Sequence, residues 1–170
     1  MKVVVNDANI LIDLIKLELL HQFFALECSF YTTDLILVEL YDEQKKQLDI
    51  FIENERMNVL GFEAEDVSRI VDIQAEKPQL SEQDCSAFIC ALKVEGELLT
   101  SDNTLRRFAV SQNMIVRGHL WVFDQMVEQG IISGTLATDK LKMLIEVVNP
   151  RLGLPQKECE TRLQAWGLAK

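Results

Sequence analysis

The chain has 170 residues, about one domain's worth, of which 48% are hydrophobic and 26% charged. That balance excludes a disordered tail. Apolar runs such as Leu35–Val38 and Phe88–Leu92 fall far short of the ~20 residues that cross a bilayer, so no membrane association is expected. Net charge is −10, divided as −11 over residues 1–85 and +1 over residues 86–170. This argues against binding nucleic acid through bulk charge and leaves room for a local basic rim in the second half.

In chain order, short apolar strands alternate with helical patterns. Val3–Val5 predicts a buried strand, followed at once by Asn6-Asp7 and a helix marked by Ile10, Leu11, Leu14 and Ile15. Ser29–Thr32 predicts a second strand, after which Thr33 or Asp34 caps a helix running to about Lys46. Met57–Leu60 predicts a third strand, and residues 65–75 a helix ahead of Pro78. Ser81-Glu82-Gln83-Asp84 resembles a capping box opening a helix through Val94. Glu97–Thr100 predicts a strand, Asn103–Ser111 a helix, and Met114–Val116 a fifth strand. Helices follow over Leu120–Glu128 and Leu136–Val148. A last one comes after Pro155, with Cys159, Leu163 and Trp166 on one face. The alternation predicts an α/β fold whose parallel sheet is covered on both faces.

The acid at Asp7 comes too early for a signal-peptide apolar region, which predicts a cytoplasmic, reducing compartment. Cys28, Cys85, Cys90 and Cys159 contain no Cys-x-x-Cys pair, so buried thiols are expected rather than a zinc site.

Dinucleotide and P-loop glycine motifs are absent, as is a Gly-x-Ser-x-Gly elbow. What remains is acid placed where acid is costly. Asp7 follows the valine strand and Asp102 follows Glu97-Leu98-Leu99-Thr100-Ser101. In an open parallel sheet, ligands bind beyond the carboxyl ends of strands where strand order reverses. If these strands are neighbours their ends lie about 4.8 Å apart. Two carboxylates so close favour a shared divalent cation. Glu39 interrupts an apolar run, and Asp84 shares a helical face with Phe88 and Ala91, so both are expected to point inward. Each acid also has a plain structural reading. Asp7 and Asp102 are placed to cap helices, Asp84 to complete a capping box, and Glu39 to reach solvent.

At these residues the sequence resembles the PIN-domain family of metal-dependent nucleases, which includes the toxin halves of many prokaryotic toxin–antitoxin pairs. The matching stretches are Val3–Ile12, Leu37-Val38-Glu39-Leu40, Leu80–Ala87 through Ala91-Leu92, and Leu98–Asp102. In order and spacing they cover residues 1–150. The resemblance implies a three-layer α/β/α sandwich around a parallel sheet of about five short strands, with residues 151–170 a helical extension packed on the same domain. It implies that Asp7, Glu39, Asp84 and Asp102 are catalytic, with Asp7, Asp84 and Asp102 binding Mg²⁺ or Mn²⁺. Thr100 or Ser101 would be a supporting hydroxyl and Asn9 a supporting polar group. Many members carry a further acid where this chain has Thr104, which favours one ion over two.

The activity so implied is endoribonucleolytic hydrolysis of RNA phosphodiesters. Arg106, Arg107 and Arg117 are candidate phosphate contacts. A small antitoxin is the expected protein partner, and a homodimer is compatible with the family. The alternative is a PIN-fold scaffold for nucleic acid or protein that has lost catalysis.

Overall fold

The three valines lie in β1 (Lys2–Asn6), the central strand of a five-stranded, all-parallel sheet. The computed structural model describes residues 1–168. The other strands are β2 (Cys28–Thr33), β3 (Met57–Leu60), β4 (Glu97–Leu99) and β5 (Val116–Arg117), in spatial order β3-β2-β1-β4-β5. Consecutive strand residues face opposite sides of a sheet. Val4 and Val5 are both wholly buried, as are Leu98 and Leu99, so both faces of the sheet centre are covered. The fold is α/β, as the alternation predicts.

The helices are α1 (Ala8–Lys16), α2 (Leu20–Phe24), α3 (Asp34–Leu37), α4 (Asp42–Glu53), α5 (Ala64–Glu76) and α6 (Glu82–Val94). They continue with α7 (Asn103–Ser111), α8 (His119–Glu128), α9 (Gly134–Met143) and α10 (Gln156–Leu168). The chain divides into two compact units.

The first unit comprises Met1–Ile12 and Glu27–Gly118, and holds the whole sheet. Helix α6 packs on β1, β2 and β4, and every residue from Cys85 to Ala91 is buried. Gly96 makes the turn into β4 possible, since a Cβ there would lie 3.1 Å from the Val3 carbonyl oxygen.

The second unit comprises Asp13–Leu26 and the chain from His119 onward, with Phe23, Phe123, Met126, Leu141 and Trp166 in its core. Gly134 opens α9 directly against α10, where a Cβ would come within 2.6 Å of the Trp166 carbonyl oxygen. Asp13 and His119 are buried and joined by a 2.8 Å bond from His119 Nε2 to Asp13 Oδ2, which also accepts Asn149 Nδ2 at 3.1 Å. Residues 151–168 belong to this unit; the last two residues of the expected 151–170 extension lie outside the described residues.

Four local readings differ from the structure. The helix expected from Thr33 to Lys46 is two helices. Thr33 does cap α3, accepting Ile36 N–H at 3.0 Å, but α3 stops at Leu37. A new start follows, in which Gln44 Oε1 accepts Tyr41 N–H at 2.9 Å and the acids Asp42 and Glu43 occupy the first turn. The helix expected over Leu136–Val148 is α-helical only to Met143 and then π-helical over Leu144–Val148. The last strand shifts to Val116–Arg117, because its register is set by pairing with Leu98 and Leu99 of β4. Helix α2 has no sequence signal beyond its apolar residues and is held by burial of Leu20, Phe23 and Phe24. All four cysteines are free, buried thiols.

Candidate active site

Asn6 of β1 pairs with Leu99 of β4, so the residues following the two strands emerge side by side. This is where the strand order reverses, the usual ligand-binding edge of an open α/β sheet. Asp7 N–H donates to the Leu99 carbonyl at 3.0 Å, extending the pairing by one residue. The Asp7 side chain is 3% exposed. Its Oδ1 accepts Ala8 N–H at 2.8 Å, and its Oδ2 accepts the Thr100 hydroxyl at 2.7 Å. The same hydroxyl accepts Asp102 N–H at 3.1 Å. Thr100 thus ties the two strand-end acids to one oxygen.

Asp102 also caps α7, its Oδ1 accepting Leu105 N–H at 2.7 Å. Asp84 completes the capping box of α6: its Oδ2 accepts Ser81 N–H at 2.9 Å, while Ser81 Oγ accepts Asp84 N–H at 3.0 Å. The capping readings of both residues are therefore correct. They leave Asp102 Oδ2 and Asp84 Oδ1 without a hydrogen bond among the described residues. Glu39 differs from its expected placement. It stands in the turn after α3, exposed, because α3 ends two residues earlier.

The four acids nonetheless share an electrostatic field. Burial pushes the Asp7 carboxyl up to about 6, with the charges of Asp84 and Glu39 adding to it and the Thr100 hydrogen bond opposing. Asp84 is raised by burial, opposed by its bonds to Ser81, with Asp102 pushing it further up. Glu39 is raised by partial burial and then by Asp84. No lysine or arginine enters as a cause in any of the three.

One position at the site was not singled out from the sequence. Ser86, inside the buried stretch of α6, lies 2.8 Å from the Thr33 hydroxyl and donates to the Gln83 carbonyl at 2.7 Å. It thereby links the cap of α3, which precedes Glu39, to the helix carrying Asp84. The only hint was a serine within an otherwise apolar run. Asn6 is also buried. Its Nδ2 donates to the Tyr31 carbonyl at 3.4 Å, and its Oδ1 has no partner among the described residues.

Carboxylate oxygens are hard donors suited to Mg²⁺ or Mn²⁺. The clustered negative charge and the two unbonded oxygens fit such an ion in kind. The side chains are not closed around a common point: among the described residues no three His, Cys, Asp or Glu groups are gathered so as to hold a metal. Of the supporting residues, Thr100 is buried at the centre, Ser101 is half-buried beside it, and Asn9 is exposed in the first turn of α1.

The arginines separate. Arg106 Nη2 donates to the Thr100 carbonyl at 3.0 Å and so braces the strand end. It passes where a Cβ on Gly118 would sit, 2.9 Å away. Arg117 pairs with Glu97 at 3.2 Å, at the opposite end of β4 from Asp102. Arg107 is exposed on α7.

A search of curated proteins gives no match. Among solved structures, a chain from the crystal structure of VapBC2 from Rickettsia felis bound to a DNA fragment from their promoter is similar. It has 19% identity and a TM-score of 0.48, over 68% of this chain and 98% of that one. A family model described as PIN domain matches residues 3–167. That match runs through nearly the whole sequence, and the chain belongs to the PIN-domain family.

Proposed function

We propose that this chain is a Mg²⁺- or Mn²⁺-dependent endoribonuclease that hydrolyses RNA phosphodiester bonds. The observation that carries the reading is the placement of Asp7 and Asp102 side by side at the strand-order reversal, joined through the Thr100 hydroxyl, with the charges of Asp84 and Glu39 bearing on Asp7. A cluster of this kind is costly to fold, and a bound cation would offset that cost.

Asp7, Asp84 and Asp102 are the residues that would hold the ion. When bound, a divalent cation acidifies a coordinated water and offsets charge on the phosphate. Glu39, exposed and without a hydrogen-bond partner among the described residues, would position the attacking water or accept its proton. Thr100 fixes the carboxylate plane of Asp7 relative to the backbone of Asp102. Ser101 and Asn9 border the same edge.

The test is cleavage of structured RNAs with Mg²⁺ or Mn²⁺ by the parent protein, Asp7→Asn and Asp102→Asn. The reading requires activity in the parent and its loss in both variants. Equal activity in all three identifies a contaminant and removes the assignment.

In the same reading the chain is the toxin of a toxin–antitoxin pair acting in the cytoplasm. A small antitoxin then places a basic side chain among the four acids. Co-expression with the product of an adjacent reading frame tests this. A neighbour that neither binds the chain nor inhibits cleavage removes the toxin role. Homodimerisation belongs to the same proposal and is read by sedimentation.

The catalytically silent scaffold draws on a specific observation, the open spacing of the acids. Calorimetric titration with Mn²⁺ separates the two readings, since a site that ignores millimolar Mn²⁺ is a scaffold.

A further inference from the structure

Beside the acidic site lies a groove of opposite character. It has a volume of about 360 Å³ and is lined by Lys77, Gln79, Thr104, Arg107, Phe108 and Ser111, together with Leu80. Two of these side chains are cationic, two are hydroxyls, one is an amide and none is acidic. In a chain of net charge −10 such a lining is unusual. The walls are also significant. One is the segment leading into Ser81 and the helix of Asp84, and the other is α7, capped by Asp102. The groove is therefore built from the same two segments that present two of the four acids.

Phe108 adds a further element. Its ring is half-buried and packs edge-to-face on Phe88, with centroids 4.8 Å apart, and it still lines the groove. Cations flanking a held aromatic ring are the parts list of a single-strand site. Lysine and arginine track the phosphates, and the ring takes an unpaired base. A duplex cannot offer a base face to such a ring.

Resting on the ribonuclease reading, we infer that this groove seats a single-stranded stretch of the RNA next to the scissile phosphate. Lys77 and Arg107 hold backbone phosphates there, and Phe108 stacks a base. Charge complementarity selects the occupant: a polyanion finds in this groove the positive charge that the acidic site withholds.

The experiment is fluorescence anisotropy with labelled oligouridine and with a duplex RNA of equal length, at several salt concentrations. It uses the Asp102→Asn background, which keeps a good helix cap while sparing the strand from cleavage. Lys77→Gln and Arg107→Gln are each expected to lower the slope of log K against log salt by about 0.7, the value for one phosphate contact on a single strand. Lys46→Gln, an exposed change on α4, is expected to leave the slope unchanged. Phe108→Leu keeps an apolar filler against Phe88 and is expected to weaken oligouridine roughly tenfold.

Absence of binding, slopes that match Lys46→Gln, or a duplex bound as tightly as the single strand each overturn the inference. Cleavage by the parent is measured alongside. Cleavage with an inert groove removes this inference and keeps the nuclease; a responsive groove without cleavage removes the nuclease and, with it, the placement beside a scissile phosphate.

Discussion

The Thr100 hydroxyl donates to Asp7 Oδ2 at 2.7 Å while accepting Asp102 N–H at 3.1 Å, so one oxygen sets the spacing of two acids 95 residues apart in sequence. Thr100→Val keeps the shape and deletes both bonds. The expected cost is about 1–3 kcal/mol in urea denaturation, since a buried carboxylate and a backbone donor lose their partner. Thr100→Ser, which keeps the oxygen, is expected to retain most of that stability and most RNA cleavage. Equal loss in the two variants would show that the methyl group, not the hydroxyl, matters.

The Asp7 carboxyl rises from 3.8 to about 6 on folding, chiefly through burial. Between those values the folded state binds more protons than the unfolded state. Metal-free stability therefore falls as pH climbs through this window, and levels off above it. The gap corresponds to about 3 kcal/mol. Asp84 and Glu39, both raised, add in the same direction. Asp7→Asn removes the main contribution, so it is expected to exceed the parent in stability at pH 7 by about 2–3 kcal/mol, with the difference closing near pH 4. Urea midpoints across this range check it, and parallel curves for the two proteins would contradict it.

Divalent metal is expected to reverse that penalty. Mn²⁺ at a hundred times its dissociation constant adds about 2.7 kcal/mol, seen as a raised unfolding midpoint that EDTA abolishes. Because Asp7 must lose its proton to ligate, affinity is expected to fall as pH drops below about 6. Calorimetry in buffers of different ionisation enthalpy reads the proton released. An Asp7→Asn protein with unchanged Mn²⁺ affinity would place the ion elsewhere.

In the second unit, Asp13 Oδ2 serves both His119 and Asn149. Asp13→Ala leaves a buried imidazole and an amide without their acceptor, at an expected cost of about 2–4 kcal/mol. Asp13→Asn, which retains one acceptor oxygen, is expected to lose less. Thermal denaturation of the three proteins decides the matter, and a silent Asp13→Ala would show that other groups supply the acceptor.

Much of this was legible in the residues. Valine-rich strands announce themselves through β-branched side chains buried on both faces, and Ser81-Glu82-Gln83-Asp84 closes the capping box it suggests. The meeting of Asp7 and Asp102 was readable because each follows a strand directly, and neighbouring parallel strands bring such positions together.

What the sequence hid were interactions that depend on distant partners. The apolar run through Leu40 gave no Gly or Pro to mark the end of α3, and the next start relies on Gln44 reaching back to Tyr41. Glu39 consequently occupies a turn instead of a helix face. The Thr33–Ser86 contact spans 53 residues and has no local signature. Arg117 was a poor phosphate candidate only once Glu97 was known to face it.

The strand order also governs when the site comes into being. Asp7 is synthesised well before its neighbours Leu99, Thr100 and Asp102, which lie about ninety positions later. Closing so large a loop is slow and gains nothing until β4 docks. A nascent chain halted before residue 97 lacks β4 and the Thr100 hydroxyl, so Asp7 stays hydrated with no desolvated pocket around it. Topology alone thus withholds the acidic site from unfinished copies.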